Sequence, residues 1–160
     1  MTIESSSFKY CLSHFAKGVT VITCHNPHGE NIGLTVDSFN SVSLNPPLIL
    51  FSINKLSLSH EILVNTPHFL INILSAEQSS LSKNFSSRHP NKWENVSYTL
   101  SPKTSNRIID NCLFYLECEN YAVYPGGDHS IILGKVINLE QVTDLQPLVY
   151  FKGHYNQISP

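Results

Sequence analysis

GLTVDSFNSVSLNPPLILFSI, Gly33 to Ile53, changes character half-way along. Its second part, Leu48-Ile49-Leu50-Phe51-Ser52-Ile53, has the composition of a buried strand and follows the turn signal Asn45-Pro46-Pro47. Its first part, Gly33 to Pro47, is too rich in Ser, Asn and Asp for an ordinary core strand and too apolar for a solvated linker. Hydroxyls, amides and backbone N–H groups in such a stretch could ring a flat heteroaromatic ligand. They could equally belong to a bulged strand and loop whose Ser and Asn side chains satisfy local backbone. The residues by themselves leave both open.

Upstream, Val19 to Cys24 is β-branched and reads as a strand. His25 to Asn31 is turn chemistry, so Ile32 to Thr35 should return as its hairpin partner. Before them, Phe8, Cys11, Leu12 and Phe15 fall at helical spacing, which predicts an amphipathic helix over Ser5–Lys17 that stops at Gly18. Downstream, Ser57 or Ser59 should open a short helix to about Asn65, and Phe69 to Leu74 is another strand. Ser75-Ala76-Glu77-Gln78 is a capping box opening a helix to about Asn84. Phe85 to Asn111 has little periodicity and reads as a long loop. Leu113–Val123 and Ser130–Gln141 should pair through Tyr124-Pro125-Gly126-Gly127-Asp128-His129, and Leu148–Phe151 is a last strand. This order lacks regular strand–helix alternation. It predicts a mainly β fold, a small closed antiparallel barrel of about six strands with two or three helices outside.

Composition bounds the rest. The chain has 160 residues, enough for one domain, taken as 1–160. Charged residues make up 14%, against about 25% in a typical soluble domain. Ser (21) and Asn (15) replace them, giving a surface that can hydrogen-bond a ligand or second subunit without desolvating full charges. A net charge of −2 argues against nucleic acid or an acidic membrane surface as partner. No apolar run approaches the ~20 residues of a membrane span. The four Cys form no C-x-x-C pair, and Met1 to Tyr10 has no secretory pattern. A cytoplasmic protein with reduced, buried or half-buried thiols is expected. Eight His include His25-x-x-His28 in a turn but no second pair at ligand spacing, so no metal is expected. G-x-S-x-G, G-x-G-x-x-G and the P-loop are all absent.

Two further stretches carry chemistry. Asn54 to His60 follows a buried strand and opens a helix; Lys55, Ser57 and Ser59 there suit a phosphate, or Ser caps the helix. Gly126-Gly127-Asp128-His129 allows a sharp turn with His129 entering the next strand; Asp128 could orient the imidazole or cap the turn.

In order along the chain, FAKGVTVITC (Phe15–Cys24), the Gly33–Ile53 stretch, FLINILSAEQSSLSKNF (Phe69–Phe85), GGDHSIILGKV (Gly126–Val136) and PLVYFKGHY (Pro147–Tyr155) are similar to the flavin reductase-like family. These are the FMN-binding split-barrel reductases of two-component monooxygenase systems. The resemblance spans nearly the whole chain and implies a six-stranded antiparallel Greek-key split barrel. It implies an NAD(P)H:flavin oxidoreductase moving hydride from NADH or NADPH to N5 of FMN or FAD, with a flavin-dependent monooxygenase as partner and a homodimer as the assembly. Thr35, Val36, Asp37 and Ser38 match the segment wrapping the isoalloxazine and ribityl chain. Ser41 and Val42 match positions near the ring's polar edge, and Ser57 and Ser59, with Lys55 nearby, match the phosphate turn. Phe85 falls near the cofactor, Arg88 is a secondary candidate for phosphate or adenine, and Tyr155 matches the aromatic of the closing G-x-Y motif. His129 matches the histidine linked with pyridine-nucleotide binding, implied to hold the nicotinamide without moving a proton.

Two departures stand out. Asp37 occupies a position where Asn or a small residue is common in the family. A carboxylate facing a reduced, anionic flavin would disfavour it, so it should face elsewhere or act through its backbone. It also keeps open a flavin-binding split-barrel protein without reductase turnover. The segment after Phe85 varies in the family, so neither the flavin nor the nucleotide preference carries over.

Overall fold

Three antiparallel hairpins, over residues 20–36, 40–54 and 114–141, together with the single strand at 68–73 build the principal sheet of the molecule. The computed structural model describes Ile3–Ile158; Met1, Thr2, Ser159 and Pro160, the ends of the expected domain, lie outside the described residues. Helix α1 (Ser5–Ser13) leads into β1 (Lys17–Gly18), β2 (Thr20–His25), β3 (Asn31–Val36), β4 (Asn40–Leu44) and β5 (Pro47–Asn54). Next come α2 (His60–Asn65), β6 (His68–Ile73), a 3-10 turn (Ala76–Gln78) and α3 (Ser79–Ser86). The chain ends through β7 (Tyr98–Leu100), β8 (Arg107–Ile109), β9 (Phe114–Gly126), β10 (His129–Gln141), β11 (Val149–Phe151) and β12 (His154–Asn156).

The principal sheet has seven antiparallel strands in the order β3-β2-β6-β9-β10-β5-β4, where six were expected. The extra strand is β4, which turns back at Asn45-Pro46 to pair with β5 and carries a bulge between Ser41 and Ser43. The two edge strands, β3 and β4, are joined by only Asp37-Ser38-Phe39. Ser38 fastens this link to β5: its Oγ donates to Ser52 O (3.1 Å) and accepts from Ser52 N (3.0 Å). Smaller sheets form from β1-β11-β12 and β7-β8.

Alternation along β5 turns Ile49, Phe51 and Ile53 inward. They meet Ile22, Phe69, Ile71 and Ile132 in the main core. Phe51 and Phe69 stand edge-to-face at 5.3 Å. Gly134 makes room for them, because a Cβ there would come within 2.5 Å of Phe69 Cζ. A second core of Val19, Val21, Leu74, Phe85, Ile109 and Leu148 includes the buried side of α3.

Three expectations change. Helix α1 ends at Ser13, because Lys17–Gly18 is drawn into pairing with Tyr150 and Val149. None of its residues is buried, and Phe8, Leu12 and Phe15 of the predicted stripe are all exposed. Cys11 is likewise exposed, whereas Cys24, Cys112 and Cys118 are buried and each thiol is pushed up to about 12 by desolvation. Within the predicted loop of 85–111, β7 and β8 form a hairpin held by distant partners. The fully buried Glu117 carboxylate accepts from Lys103 N (3.2 Å), Thr104 N (3.0 Å) and Thr104 Oγ1 (3.1 Å). Asn72 Oδ1 accepts from Ile109 N (2.8 Å). Among the described residues no helix is long and apolar enough to cross a membrane.

Candidate functional site

A cleft of about 570 Å³ opens between β3, the turn leaving β5 and the segment that follows α3. Ser57 and Ser59 form part of one wall, with Leu56 and Leu58 nearly fully exposed beside them. Arg88, His89, Lys92 and Trp93 form part of the other. Among the described residues no carboxylate lines this space, while Arg88 and Lys92 do, so its described lining is basic within a chain whose net charge is −2.

The second wall is braced against the free edge of β3. Lys92 Nζ donates to Phe85 O (2.9 Å) and Gly33 O (3.4 Å), and Trp93 Nε1 donates to Asn31 O (3.0 Å). Burial pulls the Lys92 ammonium below its ordinary value. Phe85 lies fully buried behind this wall, edge-on to Trp93 at 4.8 Å and directly against Gly33, where a Cβ would strike its ring. Arg107 lies over the Trp93 ring at 4.6 Å.

Beside the cleft, β9 and β10 are joined by Gly127-Asp128, with Gly127 at φ 71°. His129 is half-buried at this tip, and its Nδ1 lies 2.7 Å from Asp128 Oδ1. The histidine holds the Asp128 carboxyl below its ordinary value. Lys55, the remaining residue of the expected phosphate turn, does not line the cleft; its Nζ donates to Gly127 O at 2.6 Å.

The other expected residues lie around the link between β3 and β4 and under α3. Asp37 pairs with Lys17 Nζ at 3.1 Å. Val36 is buried, while Ser41 and Val42 are exposed on the edge strand β4. Thr35 and Tyr155 both reach Ser82 of α3: Thr35 Oγ1 donates to Ser82 O (2.7 Å), and the Ser82 and Tyr155 hydroxyls lie 2.8 Å apart.

Residues 12–159 match the family described as the flavin reductase like domain. The chain belongs to the flavin reductase-like family. HsaB of Rhodococcus jostii (strain RHA1), the reductase subunit of a flavin-dependent monooxygenase, is 35% identical over 158 residues, covering 99% of this chain and 80% of that one. The FMN reductase (NADH) SmoA of Agrobacterium fabrum is 37% identical over 156 residues, covering 98% and 87%. The NADH:FAD oxidoreductase SgcE6 of Streptomyces globisporus, in complex with NAD and FAD fragments, superposes with a TM-score of 0.92 at 28% identity, over 100% of this chain and 98% of that one.

The donor set of this flavin reductase-like chain fits a flavin phosphate: two hydroxyls, a guanidinium and an ammonium line one cleft, with no acid among the described lining residues. Lys92 and Trp93 are among the cleft residues that sequence reasoning missed, as is His89 beside them. The available signal was the single Trp of the chain next to a Lys in a stretch without periodicity.

Proposed function

We propose that this protein is an NAD(P)H:flavin oxidoreductase whose reduced flavin serves a partner monooxygenase. The basic cleft carries this reading, within a family whose members named above are flavin reductases. The two cofactors supply the chemistry, a hydride leaving the nicotinamide C4 for flavin N5. The protein's part is to hold the two rings in contact and keep donors fixed where negative charge develops.

Ser57 and Ser59 on one wall and Arg88 on the other would bind the flavin phosphate, with Lys92 adding charge on the Arg88 side. Thr35, Val36, Asp37 and Ser38 would meet the ribityl chain and ring through backbone atoms, since Thr35 Oγ1, the Asp37 carboxylate and Ser38 Oγ already have protein partners. Ser41 and Val42, exposed on β4, are free to meet the ring edge. Phe85 would support the cofactor from beneath and Tyr155 would order α3 through Ser82. Because a carboxylate only accepts, its bond fixes the His129 proton on Nδ1 in the neutral ring. That leaves Nε2 as an acceptor for a nicotinamide carboxamide. A flavin binder without turnover rested on Asp37, and the Lys17 ion pair accounts for that carboxylate.

Strands β2, β3, β5, β6, β9 and β10 would form the six-stranded Greek-key split barrel, with β4 added at its edge; the Ser38–Ser52 fastening supports closure there. The uncovered apolar face of α1 suits burial against a second copy in a homodimer. The cysteines are unpaired, in keeping with a cytoplasmic location. Light scattering should return the mass of a dimer at micromolar concentration. The deciding assay follows NADH and NADPH absorbance with and without FMN, FAD or riboflavin. Flavin-dependent oxidation is expected; its absence with every pairing would overturn the activity.

A further inference from the structure

Three bonds tie the tip of the β9–β10 hairpin to the turn that leaves β5 and to the start of α2. Lys55 N donates to Asp128 O at 3.0 Å. Lys55 Nζ donates to Gly127 O at 2.6 Å. On the other side of the turn, His60 Nε2 lies 2.9 Å from Ser130 Oγ, with both side chains largely buried. Asn54 faces His129 across the β5–β10 ladder. His129 is therefore bracketed along the chain: its preceding turn is held by Lys55 and the residue after it by His60. The Lys55 side chain leaves the cleft wall to do this, for Asn54, Leu56, Ser57, Leu58 and Ser59 line the cleft and Lys55 does not.

We infer that Lys55 is a positioning residue for His129 rather than a ligand of the flavin phosphate, and that His60 pins the same strand from the other side. This rests on the oxidoreductase activity proposed above. A two-residue turn led by glycine has few contacts of its own to hold it. What it presents is demanding: His129 must point a bare Nε2 at one amide of a bound nicotinamide, and a displacement of about 1 Å at such a contact costs on the order of a hundredfold in rate. The Lys55 ammonium sits on the Gly127 carbonyl next to Asp128, the residue that orients the ring. Removing it frees the orienting residue and the histidine together. The Ser57 and Ser59 hydroxyls and Arg88 remain for the phosphate.

Lys55 is exposed, so Lys55→Met should fold. In Lys55→Met we expect the NADH or NADPH KM to rise about tenfold, with kcat at saturating nucleotide falling less than threefold. Affinities for FMN and riboflavin, read by fluorescence quenching, should keep their ratio within about twofold, because the phosphate ligands are intact. Lys55→Arg, which still reaches the Gly127 carbonyl, should restore KM. Without any ligand, amide exchange over Gly127–Ser130 should quicken about tenfold in Lys55→Met and in His60→Ala, and return towards wild type in His60→Gln. A tenfold loss of FMN affinity with riboflavin unchanged would make Lys55 a phosphate ligand and overturn the inference. Unchanged KM and unchanged exchange would overturn it as well. Should wild-type protein oxidise neither nucleotide with any flavin, the activity fails, while the exchange rates still decide whether Lys55 holds the tip.

Discussion

In the middle of the sheet, Phe69 stands against Phe51 and over Gly134, with no room for one more carbon. At the rim, Leu56 and Leu58 lie open to solvent, and the walls are fixed by single side chains reaching backbone carbonyls: Lys92 to Phe85 and Gly33, Trp93 to Asn31, Lys55 to Gly127. The core is held by many contacts that are individually weak. The rim is held by few that are individually decisive. Damage to the first should lower stability and leave the chemistry of surviving molecules intact; damage to the second should do the reverse.

Core truncation tests that division most severely. Phe69→Ala should cost about 4 kcal/mol in urea unfolding, while the remaining folded fraction keeps its KM for flavin and nucleotide. A large KM change in folded Phe69→Ala would show that the core also shapes the cleft. Alkali attacks the same region without mutation. The Cys24, Cys112 and Cys118 thiols stand at about 12 in the folded chain, against an ordinary 9.0. Their raised values mean that the neutral form is favoured by folding, so this stability is fully present below pH 9 and is lost as pH rises towards 12. At pH 10, one unit above the unfolded value, the three together should cost roughly 4 kcal/mol. A urea midpoint that stays flat from pH 8 to 10 would contradict this.

The same division explains which parts were legible in the sequence. Val19–Cys24, Leu48–Ile53 and Phe69–Leu74 announce strands because β-branched and aromatic residues must pack on a sheet, and β2, β5 and β6 lie there. The capping box was equally local: Ser75 N donates to Gln78 Oε1 at 3.0 Å. Strands β7 and β8 escaped notice because groups far along the chain help hold them, as Glu117 does through Lys103 and Thr104; β4 escaped because its Ser and Asn residues suit a loop as well as a strand. Helix α1 misled for the opposite reason: its stripe is real, but no described residue buries it. In the cleft, Ser57 and Ser59 were readable from a turn after a buried strand. Lys92 and Trp93 were not, since their acceptors Gly33 and Asn31 lie some sixty residues earlier.

Trp93 stands between the two regions and sharpens the contrast. It packs on buried Phe85 and also lines the cleft. Trp93→Ala should cost about 2 kcal/mol, less than a central core truncation because the ring is only half-buried. It should also raise the flavin KM about fivefold by releasing the edge of β3. Paired urea and steady-state measurements check both; loss of stability alone would place Trp93 wholly with the core.

The smallest stability effect belongs to Ser57 and Ser59, and it isolates the rim most cleanly. Ser57 Oγ accepts from Ser59 N at a long 3.3 Å, and Ser59 makes no side-chain cap on α2. Removing either hydroxyl therefore takes little from the fold, and Ser57→Ala or Ser59→Ala should shift stability by less than about 0.5 kcal/mol. Each hydroxyl can give a phosphate oxygen one charge-assisted hydrogen bond, worth about 1–2 kcal/mol when lost from an otherwise intact site. FMN affinity should then fall about tenfold in either variant while riboflavin, which has no phosphate, is unaffected. Titration of both flavins by fluorescence quenching separates the outcomes. Equal weakening of FMN and riboflavin would mean that this turn meets the ring or ribityl chain, and the phosphate would have to lie against Arg88 and Lys92 alone.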